Sequence, residues 1–216
     1  AFIMTDWRRL QNNSGGHLLE KCCHDLDLAR WFIGSLPKKV ASFGGLNCFV
    51  EKNSKIYEEI KKRDNREILF DDKKIQNPFE SNKDIIDNQV TIIEYENGVR
   101  ATFHTNCNSG IPERRMYICG TKGAIRADLV PGVIEFRETG SDKEIERINI
   151  KEENDDHGGG DINLARELDL AINKKIKPQT SMIDAIVSAI TAIKIDESRI
   201  KNDIIDLDST WKKFGI

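Results

Sequence analysis

Three residues near the start of the chain have the types and the spacing to move a proton: Glu20, His24 and Asp27. They lie in the run Ser14-Gly15-Gly16-His17-Leu18-Leu19-Glu20-Lys21-Cys22-Cys23-His24-Asp25-Leu26-Asp27, which continues to Gly34. The glycine pair before the run and Gly34 after it predict one helix between them. At ~100° per residue, Glu20, His24, Asp27 and Trp31 share a narrow stripe. Leu19, Cys22, Cys23, Leu26, Ala29 and Ile33 cover much of the remaining surface. Side chains four apart are neighbours on a helix, so Glu20 is expected beside His24, with Asp27 on the other side of the ring. A carboxylate beside an imidazole favours its charged form and fixes which nitrogen carries the proton, a common way to build a general acid/base. The same residues also fit a histidine satisfied on an ordinary helix surface. The glycine pair favours the chemical reading, because it lets backbone or ligand approach the helix start closely.

Two further places carry polar groups in unusual settings. Trp7-Arg8 precedes the glycines, and Arg8 suits a phosphate or carboxylate, or else a surface stack on Trp7. Late in the chain, His157-Gly158-Gly159-Gly160-Asp161 leaves the backbone free to wrap a ligand. Asp161 is expected to N-cap a helix from Ile162 to Asn173, whose Leu164, Ala165, Leu168, Ala171 and Ile172 share one face. A flexible loop followed by a cap explains the same residues.

The elements that must position these groups are mostly strands. Ala1 to Leu10 reads as a strand running into the loop that ends at Gly16. After Pro37, Lys39 to Val50 reads as a long strand with Gly44-Gly45 marking a bulge or close packing. Positions 51 to 87 are polar, with a short helix around 57 to 63 and a turn at Asn77-Pro78; they read as an excursion from the sheet edge. Positions 90 to 96 and 99 to 105 flank Asn97-Gly98, the pair that suits a tight hairpin turn. A second pair, 115 to 119 and 124 to 128, surrounds Gly120-Thr121-Lys122-Gly123. Strands at 132 to 137 and 144 to 150 follow. Ser181 with Asp184 predicts a capping box opening a long helix to about Ile200, and 203 to 207 closes the chain as an edge strand. The expected fold is one α+β domain, an open, mostly antiparallel sheet with three helices on one face. The bare face of that sheet is expected to be covered by another copy, giving a homodimer or homotetramer.

The chain has 216 residues, 38% hydrophobic and 32% charged, with net charge -3. That size supports a full core. The charge argues against a general nucleic-acid binder, and no apolar run approaches the ~20 residues of a membrane span. The five cysteines form no C-x-x-C pair; a reduced, cytoplasmic protein accounts for them most simply. The chain has no G-x-G-x-x-G, P-loop, zinc pattern or G-x-S-x-G elbow. No Met stands at position 1 and the first residues read as a strand interior, so a piece of a longer protein is expected.

The run Ser14 to Asp27 resembles the G-G-G-x-L-x-D-x-G-x-H-x-x-D signature of the Gfo/Idh/MocA oxidoreductases, NAD(P)-dependent enzymes acting on sugars and cyclitols. Glu20 stands at the signature's Asp, His24 at its His and Asp27 at its trailing Asp, while Cys22 replaces the usual Gly. The Trp7-Arg8 pair, the Asn-Gly hairpin, the Gly-Thr-Lys-Gly turn and the His-Gly-Gly-Gly-Asp loop also match in order. The resemblance covers nearly all of the chain and only the C-terminal half of the family's architecture, the dihydrodipicolinate-reductase-like or glyceraldehyde-3-phosphate-dehydrogenase-like domain. It implies NAD or NADP as cofactor, held mostly by a dinucleotide-binding (Rossmann) domain that this chain lacks, together with that domain's catalytic lysine. It implies catalytic roles for His24 and Glu20, and substrate-binding roles for Arg8, Asp27, His157 and Asp161 toward a sugar or cyclitol, with no metal. Two rival functions stay open: an NAD-dependent glycosidase of the same family, and a non-catalytic binding or sensor module. The chain by itself is expected to fold, to be inactive and to bind NAD weakly.

Overall fold

A computed structural model describes residues 2–64, 77–150 and 159–216. Along the chain, short 3₁₀ turns at Phe2–Met4 and Trp7–Arg9 precede α1 (Gln11–Ser14), a π-helical turn (Leu18–Cys22) and α2 (Cys23–Ile33). Then come β1 (Pro37–Gly45), α3 (Ser54–Asp64), β2 (Asn88–Tyr95), β3 (Arg100–Asn106), β4 (Arg115–Cys119), β5 (Gly123–Asp128), β6 (Val133–Glu138) and β7 (Glu146–Asn149). The last elements are α4 (Gly160–Lys174), α5 (Met182–Lys201), β8 (Ile205–Asp206) and α6 (Asp208–Phe214). They form two compact units, one of residues 1–108 and 180–216, the other of residues 109–179.

In the first unit the strands run antiparallel in the order β3-β2-β1-β8. Alternation sets the two faces. Val40 pairs with Ile93 and Ser42 with Thr91, and all four are buried. Phe43, Val90 and Ile92, which alternate with them along the strands, are exposed on the other face. Against the buried face pack Leu18, Cys22 and Leu26 from the π turn and α2, with Val187, Ala192 and Ile195 from α5 and Leu207 and Trp211 from the chain end. Each such large apolar side chain contributes about 1.5–3 kcal/mol through burial. The Trp211 indole also donates to the Pro37 carbonyl at 2.7 Å, which fastens α6 to the start of β1.

The predicted capping box forms: the Asp184 amide donates to Ser181 Oγ, and the Asp184 carboxylate accepts from the Ser181 amide. A smaller apolar cluster gathers Ile3, Met4, Phe49, Phe79 and Ile85. Beside it the fully buried Asp87 carboxylate accepts from the backbone amides of Asn47, Cys48 (2.7 Å) and Phe49 (2.9 Å). The segment at 77 to 87 thus adds apolar anchors to a stretch that reads as polar.

In the second unit β4-β5-β6-β7 form a separate antiparallel sheet, followed by α4. The Gly120 amide donates to the Gly123 carbonyl at 2.8 Å across the expected turn. No hydrophobic side chain of this unit is buried among the described residues.

The α+β class and the antiparallel pairing hold, with the strands divided between two sheets rather than joined in one. The expected strand at the start is replaced by 3₁₀ turns, because Asp6 accepts from the Arg8 amide at 2.9 Å and closes the chain into a turn. The first sheet strand ends at Gly45, where the chain bends toward the Asp87 carboxylate. Among the described residues no helix is long and apolar enough to cross a membrane.

Candidate active site

The signature run does not form one regular helix. Gly15 and Gly16 both have positive φ, and a Cβ on Gly16 would lie 2.8 Å from the Asp196 carboxylate and 2.8 Å from the Gln11 side chain. Only glycine fits there without displacing those groups. The π turn follows at once, and α2 begins only at Cys23, ending on Gly34 in the left-handed conformation. A π turn holds more residues per turn than an α-helix and is often found at functional positions. The ~100° spacing therefore fails between Glu20 and His24.

The structure brings together Arg8 and Glu20. Arg8 Nε donates to Glu20 Oε1 at 2.7 Å, its Nη1 pairs with the Asp6 carboxylate, and its guanidinium lies 4.5 Å from the Trp7 ring centre. The Glu20 hydrogen bond, opposed by burial and helped by Asp6, pushes the Arg8 guanidinium up. Lys21 Nζ lies 3.4 Å from the same Glu20 oxygen. Glu20 is thus paired with two cations.

His24 is exposed in the first turn of α2, and among the described residues no hydrogen bond joins its ring to Glu20 or Asp27. Its Nδ1 faces the Cys23 sulfur at 3.7 Å. Burial pushes the Cys23 thiol up, which keeps it protonated. Asp27 lies 3.6 Å from Arg30, which also pairs with Asp184 of α5. Ser188 of α5 donates to the Cys23 carbonyl. Asp27 and these neighbours hold α2 against α5.

Asp161 is exposed in the first turn of α4 and is not its cap; Gly159, at φ 82°, takes that place because glycine accepts the left-handed conformation. His157 lies outside the described residues.

One buried set had no signal beyond polar residues in apolar surroundings. His17 is 5% exposed, next to the glycines. Its Nε2 meets Thr105 Oγ1 at 3.3 Å, and its Nδ1 meets Cys107 Sγ at 3.1 Å. Burial pushes the His17 imidazole below its ordinary value, against the raising effects of the Ile86 backbone, Asp196 and Asp87. Burial also pushes the Cys107 thiol up to about 12. Gln89 joins Ser42 at 2.9 Å and Asp196 at 3.4 Å. These residues form the framework beneath the signature run.

Among the described residues no group of three or more His, Cys, Asp or Glu side chains could hold a metal ion. The glycine-led start of α4 carries Asp161 in its first turn, a carboxylate that disfavours an anion at that helix end.

Residues 2–200 match the family described as "Oxidoreductase family, C-terminal alpha/beta domain". The chain belongs to the Gfo/Idh/MocA oxidoreductase family. Among curated members, it is 26% identical over 166 residues to the 2,7-anhydro-N-acetylneuraminate hydratase of Escherichia coli, covering 77% of this chain and 36% of that one. Among solved structures, an oxidoreductase domain protein from Kribbella flavida superposes with a TM-score of 0.71 at 14% identity, covering 93% of this chain and 52% of that one. A levoglucosan dehydrogenase in complex with NADH and levoglucosan does so with a TM-score of 0.70 at 17% identity, covering 93% and 53%. These likenesses establish the family fold. The chain spans between a quarter and about a half of the length of the curated relatives it matches.

Proposed function

We propose that this chain is the substrate-binding and catalytic domain of an oxidoreductase that moves a hydride between NAD or NADP and a hydroxyl-bearing carbon of a sugar, sugar derivative or cyclitol. The observation that carries this reading is the exposed His24 imidazole, close in sequence to a Glu20 carboxylate fixed by Arg8 on the π turn. His24 takes the proton of the substrate hydroxyl as the carbonyl forms, and the carbon-bound hydrogen leaves as hydride. The nicotinamide, when bound, supplies the acceptor for that hydride. Glu20, already paired with Arg8 and Lys21, accepts a hydrogen bond from a second hydroxyl of the substrate. Arg8, paired with Asp6 and Glu20 and set against the Trp7 ring, positions Glu20 toward the substrate. Asp27 acts through α2, by holding its pairing with Arg30 and α5. The family resemblance implies substrate-binding roles for His157 and Asp161 as well.

The dinucleotide belongs to a Rossmann domain outside these residues. The outer sheet face with Phe43, Val90 and Ile92 suits a second copy, giving a dimer or tetramer. Five free cysteines suit a reducing, cytoplasmic setting.

The test is NADH or NADPH formation by the full-length protein on a panel of aldoses, anhydrosugars and inositols, with calorimetric titration of the 216-residue chain by both dinucleotides. Turnover by the full-length protein and negligible binding by the chain alone are expected. No reduced nucleotide from any polyol, or a dissociation constant in the low micromolar range for the chain (about -8 kcal/mol), contradicts the reading.

A second reading is favoured by the hydratase name of the Escherichia coli relative. In that reading a bound nicotinamide would supply a transient hydride acceptor that returns the hydride at the end, and this chain's own base would take the acidified neighbouring C–H proton as a ring or glycosidic oxygen leaves and water adds. The NAD-dependent glycosidases of the family follow the same sequence of steps. Product formed without net NADH, from an anhydrosugar or a nitrophenyl glycoside, selects this reading over the first.

A further inference from the structure

We infer that Thr105 is a positioning residue for the reaction proposed above: its hydroxyl ties both ends of the π turn to β3 and thereby sets Glu20 against Arg8. The inference rests on that reading for its catalytic consequence and on geometry for the clamp itself.

The π turn runs from Leu18 to Cys22, with His17 immediately before it. Both flanks are buried, His17 at 5% and Cys22 at 5% exposure. Both reach the same hydroxyl. Cys22 Sγ donates to Thr105 Oγ1 at 3.7 Å, and His17 Nε2 lies 3.3 Å from that oxygen. Thr105 is opposite Gln89 on the helix-covered face of the sheet, so its side chain points at the turn. A hydroxyl has one proton and two lone pairs. If the Cys22 thiol donates to it, its own proton is free to go to His17 Nε2. The other ring nitrogen, Nδ1, 3.1 Å from Cys107 Sγ, then carries the hydrogen. The chain of bonds runs one way, from Cys22 through Thr105 to His17.

This assigns a purpose to an odd residue. Where the signature has Gly, this chain has Cys22, and its sulfur supplies one arm of the clamp. Glu20 sits between the two anchored ends, and its longer side chain reaches Arg8 at 2.7 Å. On the upstream side Asp196 and Gln11 pack so closely on Gly16 that a Cβ there would lie 2.8 Å from each. A turn pinned at both ends holds its middle residue in one place; a turn pinned at one end does not.

The direct readout is the Arg8 Nε–H proton, seen by ¹⁵N-edited NMR on the 216-residue chain and assigned by its loss in Arg8→Lys and its shift in Glu20→Gln. Thr105→Val keeps the shape and removes both bonds. Exchange of the Arg8 Nε–H with water should then speed up by about tenfold, the worth of one or two hydrogen bonds, while the amides of Ile190 and Ile195 in α5 keep their protection. Thr105→Ser should restore the slow exchange, and Cys22→Ala should produce the same loss in weaker form, which serves if the valine variant folds poorly. An Arg8 signal unchanged in Thr105→Val, or protection lost equally throughout α5, or no rescue by serine, overturns the clamp. In the full-length protein Thr105→Val should lower kcat by about tenfold with the KM for the dinucleotide unchanged. Unchanged kcat in an active enzyme overturns the positioning role. An Arg8 response without turnover in the unmodified protein sinks the proposed function and leaves the clamp standing.

Discussion

The two units differ in what they bury. The first encloses Leu18, Leu26, Val40, Ile93, Tyr95, Val187 and Ile195 almost completely. The second leaves Tyr117, Ile148, Leu164, Leu168 and Ile172 between about half and two-thirds exposed, and buries no apolar side chain among its described residues. The candidate residues divide in the same way: Arg8, Glu20, His24 and Asp27 stand on the well-packed unit, Asp161 on the other. Groups that must be held in a fixed geometry need rigid supports. The first unit provides them from its own chain; the second presents apolar surface of the kind that associates.

The contrast can be broken by substitutions on each side. Leu26→Ala removes a side chain that is 3% exposed beneath the signature helix, and a loss of about 2–5 kcal/mol is expected in urea unfolding. A loss below ~1 kcal/mol would mean that the core is looser than its burial implies. Gly16→Ala combines a forbidden φ of 98° with a clash at Asp196. It should cost more than ~1 kcal/mol, whereas an alanine that leaves the melting temperature unchanged would show that the turn relaxes.

The third effect depends on pH. His17 titrates below its ordinary value because it is buried. Between that lowered value and ~6.5 the unfolded chain holds more protons than the folded one. Stability is therefore complete above the unfolded value and falls as pH drops below it, by up to ~1.4 kcal/mol per pH unit for one proton. His17→Gln should flatten this part of the pH–stability curve, whatever its effect at neutral pH. An identical slope in the variant would assign the acid loss to carboxylates instead. The smallest effect belongs to the second unit. Leu168→Ala, at a position 61% exposed, should change stability by no more than ~0.5 kcal/mol. A cost near that of Leu26→Ala would show that α4 is covered by a partner in solution.

Local signals in the sequence were strong wherever chemistry is local. The Asn97-Gly98 hairpin, the Gly120 to Gly123 turn, the Ser181 and Asp184 box and the stop at Gly34 all appear where their residues place them. The start of the signature helix was misread, since no residue pattern separates a π turn from an α turn. The inserted residue is stabilised by tertiary contacts such as Cys22 with Thr105, far apart in sequence. Glu20 was legible as a charged group, but its partner Arg8 was not, because the pairing depends on the 3₁₀ turn capped by Asp6. His17 gave no pattern at all; its neighbours Thr105 and Cys107 lie on another strand and beyond it. The helix at Asp208–Phe214 was missed as well, since only its buried Trp211 carries a tertiary signal.

The central claim is that His24 takes the substrate proton. The decisive measurement is steady-state turnover of the full-length His24→Ala variant against the unmodified protein, on whichever polyol the panel identifies, with the KM for the dinucleotide determined alongside. Loss of a general base of this kind should lower kcat by about 10²–10⁴-fold and leave the dinucleotide KM unchanged. Turnover unaltered by the substitution would contradict the account and favour a domain that kept this fold without its chemistry.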